Sequence, residues 1–325
     1  GEFKDSIASQ VGYIPFDYKK RAWANDSDWR YSVAPELKKS MLPDLVEPGE
    51  KLGELTQQAA EHIGLSEGLP LIASASDKAC EILGSGGNRP DIACMSYGTT
   101  ATINTTNKKY IEPIKYMPAY SAAIPGAYSS EIMIYRGFWM VSWFKKEFGL
   151  REQRIAEERG IEPEQLFDEL VNQVPAGSMG LMLQPYWSPG VRDPGPEAKG
   201  GIIGFGDVHT RAHIYRAILE GLAYGLKEGL LRLEKRNGVK VKTLRVSGGG
   251  SQRDAAMQLT ADIFNLPTER PNDAIQNMTR VGKVFQPDPV RVKLYSRLFN
   301  EVYLKMYPQL QPLYKSIRDI TGYPS

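Results

Sequence analysis

Cysteine is almost missing from this chain: its 325 residues contain two, Cys80 and Cys94. Two thiols cannot build a disulfide framework or a four-ligand zinc cluster, so both are expected as buried small apolar residues in a reduced, cytosolic setting. A surplus of charge is missing too. Forty Lys and Arg stand against 38 Asp and Glu, a net +2, and no block of like charges occurs. No overall field therefore selects nucleic acid or a membrane surface as partner. No apolar run approaches a membrane span. Residues 1–6 lack the pattern of a secretory signal. The G-x-G-x-x-G dinucleotide fingerprint is absent as well.

What remains is the composition of a loop-rich globular enzyme. Hydrophobic residues make up 42% of the chain, enough to bury a core, and 22 prolines break it often. The length suggests two domains. Residues 84–90, Gly-Ser-Gly-Gly-Asn-Arg-Pro, form the clearest loop and place the boundary there.

The most telling stretch is Val246-Ser247-Gly248-Gly249-Gly250-Ser251-Gln252. Before it, residues 239–246 put branched apolar side chains largely on alternate positions, as a strand does. After it, residues 255–264 carry apolar side chains at helical spacing. Ser251 is expected to cap that helix, and Asp254 suits its positive first turn. A strand that ends in three glycines and opens a helix exposes backbone N–H groups where an anion can lie close. An ordinary tight strand-to-helix turn has the same sequence, so both readings stand on the glycines alone.

Three further segments carry chemistry or shape. Residues 69–76 are apolar and predict a buried strand that delivers Asp77 at its carboxyl end, where open α/β sheets place ligands. Taken alone, Asp77 is equally a helix cap. Residues 92–97 and 101–104 predict two strands around the small-residue turn Gly98-Thr99-Thr100, which suits either a phosphate or a plain hairpin. The spacing predicts a long helix over 211–236, capped by Thr210 and ended by Asn237-Gly238. One face carries Leu219, Leu222, Leu226, Leu230 and Leu233. Gly221, Gly225 and Gly229 form a second stripe for close backbone packing. Shorter helices are predicted over 32–42, 55–63, 77–84 and, as an amphipathic set, 290–320.

Asp77, the Tyr97-Gly98-Thr99-Thr100 turn, the segment from Gly204 to Gly221 and the Gly248-Gly249-Gly250 turn occur in an order and spacing that resemble the C-terminal part of the FGGY family of carbohydrate kinases. Leu183-Gln184-Pro185-Tyr186-Trp187-Ser188-Pro189-Gly190 is similar to the loop ahead of that family's second signature. The likeness covers nearly the whole chain, and the combination is specific where each piece is not. It implies an α/β chain of the actin-like ATPase (ribonuclease H-like) fold, with two α/β domains around a cleft and the first incomplete. It further implies transfer of the γ-phosphoryl of ATP, with Mg²⁺, to a hydroxyl of a sugar or polyol, a ketose such as a pentulose.

By that resemblance Asp77 is the catalytic base and Lys78 a substrate-binding neighbour. Gly98, Thr99 and Thr100 face the terminal phosphates. Gly248, Gly249 and Gly250 line the adenosine and α-phosphate site, with Arg253 and Asp254 near the base. The partners implied are a small sugar and ATP; the oligomeric state stays open, a homodimer included. No residue is assigned to the metal.

The departures are informative. The family's opening strand with its Asp-x-Gly-Thr/Ser phosphate loop has no counterpart here. The expectation is therefore the later part of a kinase: residues 1–87 closing the sugar-binding domain, and 88–325 forming the ATP-binding one. Near Asn272-Asp273-Ala274-Ile275 relatives carry a small-residue helix, whereas this chain passes almost directly to Met278-Thr279-Arg280; an omitted segment near 273–274 is expected. Lys78 replaces the Gln, Asn or Ala of many relatives and leaves the sugar open. Two other classes share part of the pattern: an actin-like module that binds nucleotide without transferring phosphate, and an acyl-type kinase.

Several signals are set aside. His209 and His213 lie four apart but lack an acidic third ligand, and are expected at the surface of a helix start. Trp139 and Trp143 are expected in core packing. Arg192 and Asp193 are expected as a loop ion pair.

Overall fold

The computed structural model describes residues 2–271 and 281–323. The segment anticipated as interrupted, around 272–275, lies outside them. The chain divides into two compact units: residues 1–90 with 105–131, and residues 91–104 with 132–325. Residues 105–131 thus fold with the first unit although they lie beyond the boundary expected at 87.

The first unit is a set of short ribbons. Strand β1 (Lys4–Ser6), the hairpin of β2 (Phe16–Asp17) and β3 (Ala22–Trp23), then β4 (Asp44–Val46) and β5 (Lys51–Glu54) precede helix α1 (Gln57–Ile63). Strand β6 (Pro70–Ile72) and helix α2 (Asp77–Gly84) follow. β1 pairs with β4 in parallel, and β5 with β6 antiparallel. Phe16 is fully buried and meets Tyr18 and Trp23 edge-on. Gly64 closes α1 in the left-handed conformation.

Three expectations fail in this unit. The helix over 32–42 is replaced by two short 3-10 turns, Trp29–Val33 and Lys39–Met41. Pro35 accounts for the break, because its ring disfavours a helical Ala34; Ala34 is non-helical, with φ −137° and ψ 77°. Residues 70–72 are not a buried strand: β6 pairs only with β5, and Leu71 and Ile72 are 44% and 55% exposed. Cys80 is exposed, and only Cys94 is buried.

The second unit is organised by a mixed sheet. Along the chain come β7 (Ile92–Tyr97), β8 (Ala101–Asn107), β9 (Tyr120–Ser121) and β10 (Tyr128–Ile134). After helices α3 (Trp139–Phe148), α4 (Leu150–Arg159) and α5 (Pro163–Asn172) comes the ribbon of β11 (Met182–Gln184) and β12 (Gly201–Ile203). Then follow α6 (Arg211–Asn237), β13 (Thr243–Ser247), α7 (Asp254–Phe264), β14 (Thr268–Pro271) and β15 (Val281–Phe285). Helix α8 (Pro289–Arg297) runs through a π-helical stretch, Leu298–Tyr303, into α9 (Leu304–Thr321). Within this unit the sheet order is β15-β14-β13-β7-β8-β10. Residues 105–107 of β8, β9 and the first part of β10 belong to the first unit.

β7 is buried along its whole length, as a central strand covered on both faces must be. β13 alternates buried and half-buried residues and pairs with β7 in parallel, Thr243 opposite Ile92 and Ser247 opposite Ser96. The helix predicted over 211–236 is α6. It opens on a capping box between Thr210 and His213 and closes on Gly238 at φ +73°. No helix among the described residues is long and apolar enough to cross a membrane.

The glycine stripe on α6 is a packing device. A Cβ on Gly221 would sit 2.5 Å from the Leu183 carbonyl oxygen, and one on Gly229 2.8 Å from the Ile132 side chain. Beside it runs a buried charged network. Glu220 Oε1 accepts from Arg216 Nε (2.8 Å), the Tyr295 hydroxyl (2.7 Å) and the Gly177 amide (3.0 Å); its Oε2 accepts from Ser178 (2.9 Å). Arg216 also donates to the Val171 and Val174 carbonyls at the end of α5. The network ties α5, α6, α8 and the 177–178 loop together.

Gly221→Ala separates helix propensity from packing. Propensity alone favours Ala by roughly 1 kcal/mol. The overlap with a backbone carbonyl reverses the sign, and a net loss of about 1–3 kcal/mol is expected. A lower midpoint in urea unfolding is the readout; an unchanged or higher midpoint means α6 can move away from β11 at no cost.

Candidate functional site

Because β7 and β13 are parallel neighbours in register, the turns that leave them lie side by side. Gly98, Thr99 and Thr100 follow β7. Gly248 follows β13 and leads into a 3-10 turn, Gly249–Gln252, before α7. Gly248 needs to be glycine twice over: its φ is +84°, and a Cβ there would lie 3.0 Å from the Tyr97 carbonyl. The two turns are joined at backbone distance.

Helix α3 is seated on the first turn. The Phe138 amide donates to the Gly98 carbonyl (3.0 Å) and the Trp139 amide to that of Thr99 (3.3 Å). The Thr100 hydroxyl donates to the Tyr135 carbonyl (3.2 Å). Ser251 does not cap α7, as the sequence suggested. Its hydroxyl donates back to the Gly248 carbonyl (2.7 Å), because the glycine turn winds once more before the helix. Arg253 takes the cap position without a side-chain bond. Asp254 stands in the first turn of α7, where contacts from Lys283 and Arg270 hold its carboxyl below the usual carboxylate range.

A cavity of about 410 Å³ opens between the two turns. Its apolar walls include Tyr97, Phe138, Trp139, Val141, Leu219 and Ala256; Gly98, Thr99, Gly249 and Gly250 supply backbone, and Ser142 a hydroxyl. The ring of Tyr97 lies 4.5 Å from that of Phe138, and Gly250 passes so close to Phe138 that a Cβ would be 2.4 Å away. Four charged side chains complete the lining: Lys145 from α3, Glu164 and Asp168 from α5, and Arg253. Lys145 is bonded to Glu164. Arg253 approaches Asp168 at 3.6 Å and Glu164 at 3.9 Å. Burial, then Arg253, pushes the Lys145 ammonium down. Burial pushes the Asp168 carboxyl up, against the pull of Arg253.

Of the residues singled out from the sequence, Gly98, Thr99, Gly249, Gly250 and Arg253 line this cavity. Thr100, Gly248 and Asp254 stand beside it in the chain without lining it. All the lining residues belong to the second unit. Asp77 and Lys78 belong to the first. There Ser76 caps α2 by accepting from Ala79 (3.3 Å), so Asp77 is the first helical residue rather than the cap. Its side chain is exposed and accepts from the Lys78 amide (2.7 Å), and Lys78 pairs with Glu81.

Sequence reasoning missed Lys145, Glu164, Asp168 and Tyr215. They sit on ordinary amphipathic helices and meet only through tertiary packing. Trp139 and Trp143 pack against the core, as expected; Trp139 also lines the cavity, with Arg136 5.0 Å over its ring. Trp143 packs at 5.5 Å on Trp187. Asp193 pairs with Arg232 (2.5 Å). His213 closes the cap of α6 by accepting from the Thr210 amide (3.1 Å). Among the described residues no group of three His, Cys, Asp or Glu side chains is placed to hold a metal ion.

This architecture matches solved structures over its full extent. The ligand-bound xylulose kinase from Lactobacillus acidophilus superposes with a TM-score of 0.77 at 22% identity, over 99% of this chain and 65% of that one. The fold is that of the actin-like ATPases. A sequence model of the FGGY family of carbohydrate kinases, C-terminal domain, matches residues 93–284, and the chain belongs to that family. The uncharacterized sugar kinase YgcE of Escherichia coli is 32% identical over 92% of this chain and 65% of its own length. The xylulose kinase of Lactococcus lactis is 28% identical over 82% of this chain and 50% of its own. The chain thus spans between half and two thirds of the length of these curated relatives.

The ion pairs of the cavity have a measurable signature. Arg253→Met removes the cation that pulls the Asp168 carboxyl down and pushes the Lys145 ammonium down. Both groups are expected to titrate at higher pH in the variant, followed by carboxyl-carbon and Nζ NMR. If neither moves, Arg253 faces solvent.

Proposed function

We propose that this protein phosphorylates a hydroxyl of a sugar or polyol from ATP, with a ketose such as a pentulose as acceptor and Asp77 as the base. The observation that carries the nucleotide half is the pair of glycine turns at the ends of β7 and β13, opening on one cavity. Backbone N–H groups at Gly98, Thr99, Gly249 and Gly250 stabilise phosphate charge without flexible side chains. The aromatic and aliphatic wall suits a nucleobase.

The acceptor half rests on family membership and on residue type. Asp77 is an exposed carboxylate at a helix start, able to accept a hydrogen bond from a hydroxyl. In this reading the acceptor oxygen forms a bond to the γ-phosphorus as the bond to the β-bridging oxygen breaks. The hydroxyl proton passes late to Asp77. Lys78 follows the base and faces the sugar. Mg²⁺ neutralises phosphate charge when bound. It commonly takes only one or two carboxylates besides phosphate and water, so a cluster of protein ligands is not required, and none of this chain's residues is assigned to it.

The test is sugar-dependent ADP release over a panel of ketoses and polyols, with the intact protein and Asp77→Asn. The variant is expected to lose roughly 10²- to 10⁴-fold in kcat with ATP affinity unchanged. Equal turnover eliminates Asp77 as base. ATP binding without sugar-dependent ADP release in the wild type favours a nucleotide-binding module instead.

A further inference from the structure

We propose that Asp168 takes the ribose hydroxyls of the bound nucleotide, so that the charged end of the cavity fixes the nucleoside while the glycine turns hold the phosphates. The inference rests on the nucleotide reading above and deepens it. The cavity is chemically lopsided. Backbone from Gly98, Thr99, Gly249 and Gly250 lines it at the strand ends, and carboxylates from Glu164 and Asp168 line it from α5. Triphosphate is repelled by carboxylates and drawn to amides. The donor-rich part of a nucleotide, its ribose diol, is therefore the part that belongs beside α5.

The two acids are not equivalent. Glu164 is engaged by the Lys145 ammonium. Asp168 has its nearest ionic contact at 3.6 Å from Arg253, beyond normal hydrogen-bond length, with its side chain 32% exposed. Its oxygens keep acceptor capacity for an incoming hydroxyl, and a carboxylate on a ribose diol is an established recognition pair in nucleotide sites. Arg253 is the positioning residue: one turn of chain beyond Gly250, its guanidinium lies within 4 Å of both acids. Arg253 thus couples the place of Asp168 to the place of the glycine amides. Its charge and that of Lys145 also keep the two acids from repelling the nucleotide as a whole.

Calorimetric titration of the intact protein with ATP and with 2′,3′-dideoxy-ATP decides the matter. A lost hydrogen bond to a charged group corresponds to roughly ten- to a hundredfold in affinity, and the wild type is expected to prefer ATP by that factor. Asp168→Ala is expected to bind both at the weaker affinity, and Asp168→Asn, which keeps shape and one acceptor, to fall between. Equal binding of the two nucleotides by the wild type overturns the ribose assignment. So does a retained preference in Asp168→Ala, or tighter ATP binding by that variant, which would put the carboxylate beside the phosphates. In each of those cases nucleotide binding itself stands. No binding of either nucleotide to the wild type overturns the nucleotide reading and this one together.

Discussion

Everything in the second unit depends on one pairing: β13 lies parallel to β7 with Ser247 opposite Ser96. A register slip of one residue would turn every side chain of β13 to the other face and separate the two turns. The register is held from both ends. At the near end, the Lys242 backbone amide donates to the Asp91 carbonyl (2.8 Å). At the far end, the Ser247 hydroxyl donates to Met95 (3.1 Å), and Gly248 rests against the Tyr97 backbone with no room for a side chain. The Tyr97 hydroxyl then reaches Thr260 on α7 (2.5 Å). Strand, turn and following helix are thereby fixed beside β7 by four separate contacts, and the shape of the cavity follows from them.

How much of this was legible in the sequence divides along a physical line. Features set by local backbone chemistry were visible. The alternation of β13, the three glycines, the long 3.6-periodic helix and its Asn237-Gly238 stop are each decided within a few residues. The glycine stripe on α6 was visible as spacing, and its partners, Leu183 and Ile132, were not. Failures came where tertiary context ruled. Residues 69–76 have the composition of a buried strand, but burial needs something to lie against, and β6 has only β5 beside it. Ser251 has the residue type of a cap, yet one extra 3-10 turn moved the helix start past it. Lys145, Glu164 and Asp168 gave no signal at all. A charged residue on an amphipathic helix has the same sequence pattern whether it faces water or a cavity.

The two charged clusters of the second unit show why that last distinction matters. Arg216 and Glu220 are deeply buried, and between them they use two tyrosine-hydroxyl bonds, two carbonyls, a serine and a backbone amide. Desolvating such a pair costs several kcal/mol per ion, and the cost is offset by the hydrogen bonds that surround it. A cluster engaged in this way serves to hold α5 and α6 at a fixed spacing. The quartet of Lys145, Glu164, Asp168 and Arg253 is built from the same residue types and reaches the opposite state. It is half-buried, its arginine stands 3.6 to 3.9 Å from the acids, and one wall is open cavity. Residual acceptor capacity in a partly desolvated place is what a polar ligand can use, since each bond it makes replaces weak solvation instead of an existing partner. The completed network also positions the incomplete one. Arg216 anchors the carbonyls of Val171 and Val174 at the end of the helix that carries Glu164 and Asp168. The first cluster thereby fixes the end of the helix on which two members of the second stand.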